Sequence, residues 1–283
     1  MGARVRIITD GVADLPVDVA ARLAIKIVPV YLSIDGQSYR SDTFTDRELL
    51  YRSLQGSNGR PQTASPSLHE FLTAYTELTD EGATDIIGLF VASNLSSLSS
   101  HAQLAAQQLN GARLHLVETG QVSMGVGLQA IYAAELAAQG ATTAEILSRV
   151  QPLAARTYVM GMLGALEHLR ASGRVSWAQA WLGDLLQIKP LITLHLGEAR
   201  LWGRVRTYRN ALMRIVAWVA EVAPLEHLAV LYAQTPPEIL QEFREALLPF
   251  VNGNNLWMAE AGPVFLTHIG PTGLGVAAIQ VAR

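Results

Sequence analysis

In the first half of the chain, short apolar runs alternate with polar turns and with segments whose apolar residues recur at helical spacing. Residues 4–9 are a short, mostly aliphatic run that meets the turn Asp10-Gly-Val-Ala-Asp14 and then a helical pattern through Leu23, which is the strand, turn and helix that open an α/β unit. The succession recurs at 85–91, with five serines between Ser93 and Ser100 before a helix over 101–109. It recurs again at 113–118, with the turn Thr119 to Ser123 and a helix from about Met124 to Gly140. Runs of this kind suit strands covered on both faces, so the pattern predicts a largely parallel, helix-covered sheet. Residues 26–34 and 37–40 flank Asp35-Gly36 and read as a β-hairpin, because Asp-Gly accepts the positive φ angles of a tight turn. Thr45 with Glu48, Ser67 with Glu70 and Thr142 with Glu145 have the spacing of capping boxes at helix starts.

The pattern changes after about Ala155. A strand over 157–163, a helical turn over 164–170 and the loop Ala171-Ser-Gly-Arg174 precede a helix through Leu186, and 189–196 with 199–204 form a hairpin. A helix over 207–221, a strand over 227–233 and a helix over 236–248 come next, then strands over 256–260, 263–269 and 276–281. Strands that follow one another without helices between them predict a mixed α+β region. The expectation is an α/β protein of two domains. Residues 1–155 form an N-terminal Rossmann-like domain with a largely parallel sheet, and 156–283 a C-terminal mixed α+β domain, a division that suits 283 residues.

Composition removes several classes of function. A net charge of −3, with 16% charged and 50% hydrophobic residues, offers no basic field for a nucleic acid. The absence of cysteine removes disulfides, thiolate catalysis and thiolate-ligated metals. No two of the seven histidines stand at helix spacing as a ligand pair, so no metal is expected. The dinucleotide glycine fingerprint, the phosphate-binding glycine-lysine loop, His-Glu-x-x-His and Gly-x-Ser-x-Gly do not occur. The opening residues reach a polar turn too soon for a secretory apolar core. The alanine-rich stretch from Gly125 to Ala141 is too short to span a bilayer. A cytoplasmic protein without a transmembrane segment is expected, with transient contact to a membrane surface left open.

What remains is a set of polar turns at strand ends, which a parallel sheet can bring to one crevice. Singly, each has a structural explanation: Thr63 and Ser65 as caps, the serines as turn residues, His268 as a bonded core histidine, Arg174 as a surface cation. Their order along the chain carries more. Thr9-Asp-Gly-Val-Ala-Asp-Leu-Pro16, Thr63-Ala-Ser-Pro-Ser67, Ser93-Asn-Leu-Ser96, Leu166-Glu-His-Leu-Arg-Ala-Ser-Gly-Arg-Val175, Ile188-Lys-Pro190, Arg204-Val-Arg-Thr207 and Thr267-His-Ile-Gly-Pro-Thr-Gly273 resemble, in sequence order, the motifs of the DegV family. That family includes the fatty-acid-binding subunits of bacterial fatty acid kinase.

The resemblance covers nearly the whole chain. It implies a non-enzymatic carrier, without cofactor, that holds a long-chain fatty acid in a tunnel between its two domains and presents the carboxylate to a separate ATP-dependent kinase for acyl-phosphate formation. Thr63 stands at the threonine of the family's Thr-Ser-Gln-Pro-Ser motif, and Ser93 at the second serine of Ser-Ser-x-Leu-Ser-Gly-Thr. His268 stands at the histidine of Thr-His-x-Gly-Pro-Gly. These three are the implied carboxylate contacts. Ser96 and Arg174 are assigned support of the head group, and Arg206 is assigned to the kinase partner. The chain departs from the family pattern at Gly11, Ala64, Ser65, Ala92, Ser97, Leu98, Glu118, Thr119, Ser172 and Thr272, which leaves the acyl preference and the identity of the kinase open.

Physical chemistry permits this reading. Hydroxyls, a histidine and a helix start offer charge-assisted hydrogen bonds to a carboxylate that would be costly to bury alone. Burying roughly fifteen methylenes contributes on the order of 12 kcal/mol before ordering costs. Two alternatives stand beside it. One is an acyl-transfer enzyme with Ser93 as nucleophile and His268 as base; the other is a sensor of small anions.

Overall fold

The structure is a computed structural model that describes residues 4–56, 60–164, 166–175, 188–252 and 255–282. Three sheets organise it. Strands β1 (Val5–Asp10), β2 (Lys26–Val28), β6 (Asp85–Phe90) and β7 (Arg113–Glu118) form a parallel sheet in the order β2-β1-β6-β7. Strands β3 (Tyr31–Ile34), β4 (Gln37–Arg40) and β5 (Gln62–Ala64) form a small antiparallel sheet beside it, in the order β4-β3-β5. A six-stranded mixed sheet occupies the C-terminal half. It is built from β8 (Thr157–Leu163), β9 (Lys189–His195), β10 (Glu198–Val205), β11 (Leu225–Ala233), β12 (Leu256–Glu260) and β13 (Gly273–Gln280), in the order β10-β9-β8-β13-β11-β12. Only its β11–β12 pair is parallel. The chain is thus an α/β fold with a parallel sheet in its first half and a mixed sheet in its second, as the patterning predicts.

The alternation of side chains along a strand gives the mixed sheet two different faces. On one face Met160, Met162, Leu191 and Val276 pack beneath the helices Tyr208–Val222 and Pro237–Leu247, against Ile215, Trp218 and Phe243. On the other face Val159, Leu194 and Leu231, with Leu163 and Ile192, turn toward the N-terminal half. Helix α5 (Met124–Ala138) lies between the two large sheets and packs on β1 as well as on β11 and β13. It is buried almost all round, as a helix with no polar face must be. Small residues let it approach closely: a Cβ on Gly127 would come within 2.7 Å of the Ala13 carbonyl.

Several elements differ from their sequence expectation. The run 26–34 is not one strand, because Val28 pairs with Asp10 in the parallel sheet while Tyr31 begins the hairpin. Pro29 stands at the break, where it has no N–H to give to a ladder. The Asp35-Gly36 turn has φ of 50° and 80°, as the hairpin requires. The Thr45 start moves by one residue: Asp46 is the cap, and its carboxylate accepts the Leu49 N–H at 2.8 Å. Both other capping boxes form, at Ser67 with Glu70 and at Thr142 with Glu145. The helix expected from His101 begins at Leu98.

The largest correction is at 263–269, expected as a strand and found as the helix Pro263–Ile269. Proline at the first helical position needs no N–H partner, and Gly270 at φ 90° breaks the chain away after the last turn. The helix expected after Arg174 and through Leu186 lies, from residue 176 on, outside the described residues. Among the described residues, no helix is long and apolar enough to cross a membrane.

Candidate functional site

Between the inner face of the mixed sheet and the N-terminal half lies a cavity of about 190 Å³. Val12, Val30 and Val91 line it from the N-terminal half, and Val159, Ile192 and Leu194 from the mixed sheet. Its polar wall consists of Thr63, Ser65, Ser96, Ser172, Arg174 and His268. An apolar hollow with a few convergent polar groups is the ordinary form of a small-molecule site.

Each polar residue is brought there by a particular element. Thr63, expected in a polar turn, is in β5, where it pairs with Leu32 on the hairpin. His268 is in the last turn of the helix Pro263–Ile269, and its Nε2 stands 3.3 Å from Thr63 Oγ1. Burial, with the charge of Arg174 second, lowers the His268 pKa to about 4, so the imidazole is neutral near pH 7. Arg174 follows the helix Leu166–Ser172 and is held locally, its guanidinium donating to the Ser172 carbonyl and its N–H to the Ser172 hydroxyl at 3.2 Å. Ser65 and Ser97 meet hydroxyl to hydroxyl at 3.5 Å. A guanidinium, a neutral imidazole and several hydroxyls without a carboxylate among them favour an anion, whose arrival would offset the two causes that depress His268.

The expected residues are therefore only partly assembled. Thr63, Ser96, Arg174 and His268 line one cavity. Ser93 does not line it: the residue is exposed, and its backbone N–H lies 3.4 Å from both oxygens of Glu118. The turn itself sets this division, since the N–H groups of Leu95 and Ser96 both return to the Ala92 carbonyl and leave Ser96, not Ser93, on the cavity side. The Ser93–His268 pair that an acyl-transfer site needs is not formed, because His268 faces Thr63. Arg206 lies elsewhere, exposed in a depression with Arg204, Asn210, Met213 and Arg214 on the outer side of the C-terminal half.

The departures have structural counterparts. A side chain at Gly11 would strike the Ser41 hydroxyl, which receives the Val30 N–H at 3.0 Å and fills that space. Thr272 fits because residue 164 is glycine; a Cβ there would strike the Thr272 hydroxyl. Ser65 and Ser97, two departures separated in sequence, contact each other at the polar wall.

A model of the DegV family, described only as that of an uncharacterised protein, matches residues 4–281. The chain belongs to the DegV family. A DegV domain-containing protein of Deinococcus radiodurans is 30% identical to it, over 96% of this chain and 97% of the relative. In three dimensions the chain is similar to a DegV family protein from Thermus thermophilus, whose structure was described for its fatty acid binding. That likeness has a TM-score of 0.88 and 28% identity, and covers 98% of this chain and 100% of the other. A DegV fatty acid binding protein of Bacillus subtilis shares the fold at a TM-score of 0.85 and 24% identity, over 98% and 100% of the two chains. The fold and the ordered motifs of this DegV protein agree.

Two features of the site were not read from the sequence. One is Asp14, which bonds across to the start of the His268 helix. The other is the bare strip at Gly161 and Gly275, which face each other on β8 and β13 and both line the cavity. The second was accessible in principle, because Val159-Met-Gly-Met-Leu163 alternates and its glycine falls on the face shared by Val159 and Leu163.

Proposed function

We propose that this DegV protein is a carrier for one long-chain fatty acid, with the acyl chain in the cavity and the carboxylate at Thr63 and His268, assisted by Ser96 and Arg174. The observation that supports this most is the cavity, which is apolar along the mixed sheet and meets a cationic, hydroxyl-lined wall at Thr63, Arg174 and His268. The Thermus thermophilus relative, with its fatty acid binding, supports it further. A small anion alone would leave the apolar walls unfilled, and the hydrophobic contribution of the tail would be lost.

On this reading the two halves are domains divided at 155/156, where the short helix Leu153–Arg156 hands over to β8, and the ligand sits between them. The carrier is cytoplasmic and uses no cofactor. It presents the carboxylate to a separate ATP-dependent kinase, which forms the acyl phosphate. The exposed arginine depression around Arg206 faces that kinase, and steers it if the partner surface is acidic.

Denaturing the purified protein, extracting it and analysing the extract by lipid mass spectrometry tests the ligand class. The expected result is about one fatty acid per chain, and an extract without fatty acid combined with no uptake of added oleate refutes the proposal. The head-group assignment has its own measurement. Thr63→Ala and Ser96→Ala are expected to weaken fatty-acid affinity about tenfold each, the effect of losing one charge-assisted hydrogen bond. Ser93 is exposed and does not line the cavity, so Ser93→Ala is expected to change affinity less than about threefold. A loss at Ser93 equal to that at Thr63 would place Ser93 on the carboxylate after all.

A further inference from the structure

Residue 14 occupies an unusual position. Asp14 has φ 51° without being glycine, and so has Ser123, the residue before α5. The two bond directly, the Ser123 hydroxyl donating to Asp14 Oδ2. Left-handed backbone in two bonded non-glycine residues is costly and persists where the surroundings impose it, commonly at functional sites. The other carboxylate oxygen, Oδ1, accepts the Gly262 N–H at 3.0 Å, across 248 residues of sequence. Gly262 is the cap residue of the helix Pro263–Ile269, which has no side-chain cap of its own. Any side chain at 262 would strike Asp14 Oδ1. The preceding residue is fixed as well, since Arg47 donates to the Ala261 carbonyl at 2.9 Å and lies 3.6 Å from Glu260.

We propose that Asp14 is a positioning residue for the head-group site, holding the start of the helix that carries His268 and tying it through Ser123 to α5 and the parallel sheet. The inference rests on the reading of His268 as a head-group contact. A seven-residue helix is too short to hold its own orientation in isolation, so the placement of His268 against Thr63 depends on what fixes its ends. Pro263 can donate nothing at the first turn, and of the backbone donors that remain at this helix start the distant carboxylate takes the one at Gly262. Asp14 takes it from the turn after β1, the same turn that presents Val12 to the cavity. Ligand wall and head-group helix are thereby joined through one carboxylate.

Two readouts on the full chain test this. The ring resonances of His268, assigned by comparison with His268→Gln, give its titration midpoint without ligand, and displacement of the fluorescent fatty acid cis-parinarate gives affinity. In Asp14→Ala the midpoint is expected to rise from about 4 toward the ordinary histidine value as the helix loosens and water enters. Affinity is expected to fall about tenfold, the effect of one lost hydrogen bond to a charged group. Asp14→Asn keeps an acceptor for Gly262 and is expected to hold the wild-type midpoint. Ser123→Ala, which removes the tie but leaves Asp14, covers the case in which Asp14→Ala does not fold; its midpoint should move in the same direction by less. A folded Asp14→Ala, or failing that Ser123→Ala, with the wild-type midpoint overturns the proposal. If the wild-type protein binds no parinarate, the fatty-acid reading fails instead, while the ligand-free titration still decides the positioning role.

Discussion

Gly161→Leu is expected to lower the affinity for a saturated sixteen-carbon fatty acid about a hundredfold while leaving the fold and the affinity for an eight-carbon acid nearly unchanged. The argument begins with strand alternation. In β8, Met160 and Met162 face the outer helices while Val159, Gly161 and Leu163 face the N-terminal half. Gly161 is directly opposite Gly275 on β13, so the sheet carries no side chain across that strip and the cavity extends there. A Cβ at 161 would find the Leu274 carbonyl at 3.4 Å and the Gly275 Cα at 3.6 Å, an ordinary approach that the backbone tolerates. The same change at Gly275 would bring a Cβ within 2.7 Å of the Met160 carbonyl and disturb the strand pair, which is why 161 is the informative site. Leucine at 161 occupies the space of roughly four methylenes, and their displacement at about 0.8 kcal/mol each costs about 3 kcal/mol of binding. Competition against parinarate with acids of graded length measures it. Equal loss for both chain lengths would mean that the tail does not run along the β8–β13 strip.

How much of this was legible in the sequence depends on the range of the interactions involved. The parallel sheet was, because aliphatic runs such as Ile86 to Phe90 are covered on both faces and read as continuous. The starts at Ser67 and Thr142 were, because a capping box is complete within four residues. The helix Pro263–Ile269 was not. Seven residues with five buried positions show neither a helical stripe nor a strand alternation, and only the flanking Pro263 and Gly270 signalled it. The choice among the turn serines was not legible either. Whether Ser93 or Ser96 faces the cavity is decided by a turn closing on Ala92 and by Glu118, which reaches the Ser93 N–H from the neighbouring strand. The pairing of Thr63 with His268 was available only from the family resemblance, because it joins residues 205 positions apart. Asp14 stayed hidden for the same reason, since its partner is at 262.

That same carboxylate leads to the second large effect. Asp14→Asn is expected to gain stability over the wild-type protein as pH rises from 5 to 8. As a residue Asp14 is only partly buried, but its carboxyl is turned onto Ser123 and Gly262, and desolvation lifts its pKa from 3.8 to about 7. The charged groups around it act in both directions: Arg47 from the helix Arg47–Gln55 and the bonds from Ser123 and Gly262 lower the value, while Asp10 in β1 raises it. Glu260 in β12 is engaged with Arg47. Because the folded value exceeds the unfolded one, the native state binds more protons between these limits, so stability falls as pH rises through that window and levels off above it.

Asp10, raised by burial to about 6, adds to the fall. His268, lowered to about 4 by burial and Arg174, has the opposite sign, its contribution growing from pH 4 to 6.5, and burial gives His168 and His227 the same sign as His268. The whole-protein profile therefore mixes opposing slopes, and the difference between variant and wild type isolates Asp14. From pH 5 up to the folded value of about 7 the comparison spans roughly two units, at most about 3 kcal/mol at 1.36 kcal/mol per unit, reduced to the extent that water reaches the carboxyl. Chemical denaturation of both proteins at pH 5 and pH 8 measures it, and a difference that does not change with pH would show that the Asp14 carboxyl is not desolvated. If the gain appears, ionising the Asp14 carboxyl between Ser123 and Gly262 costs the native state stability as pH rises, a cost that asparagine, which keeps an acceptor for Gly262, does not carry.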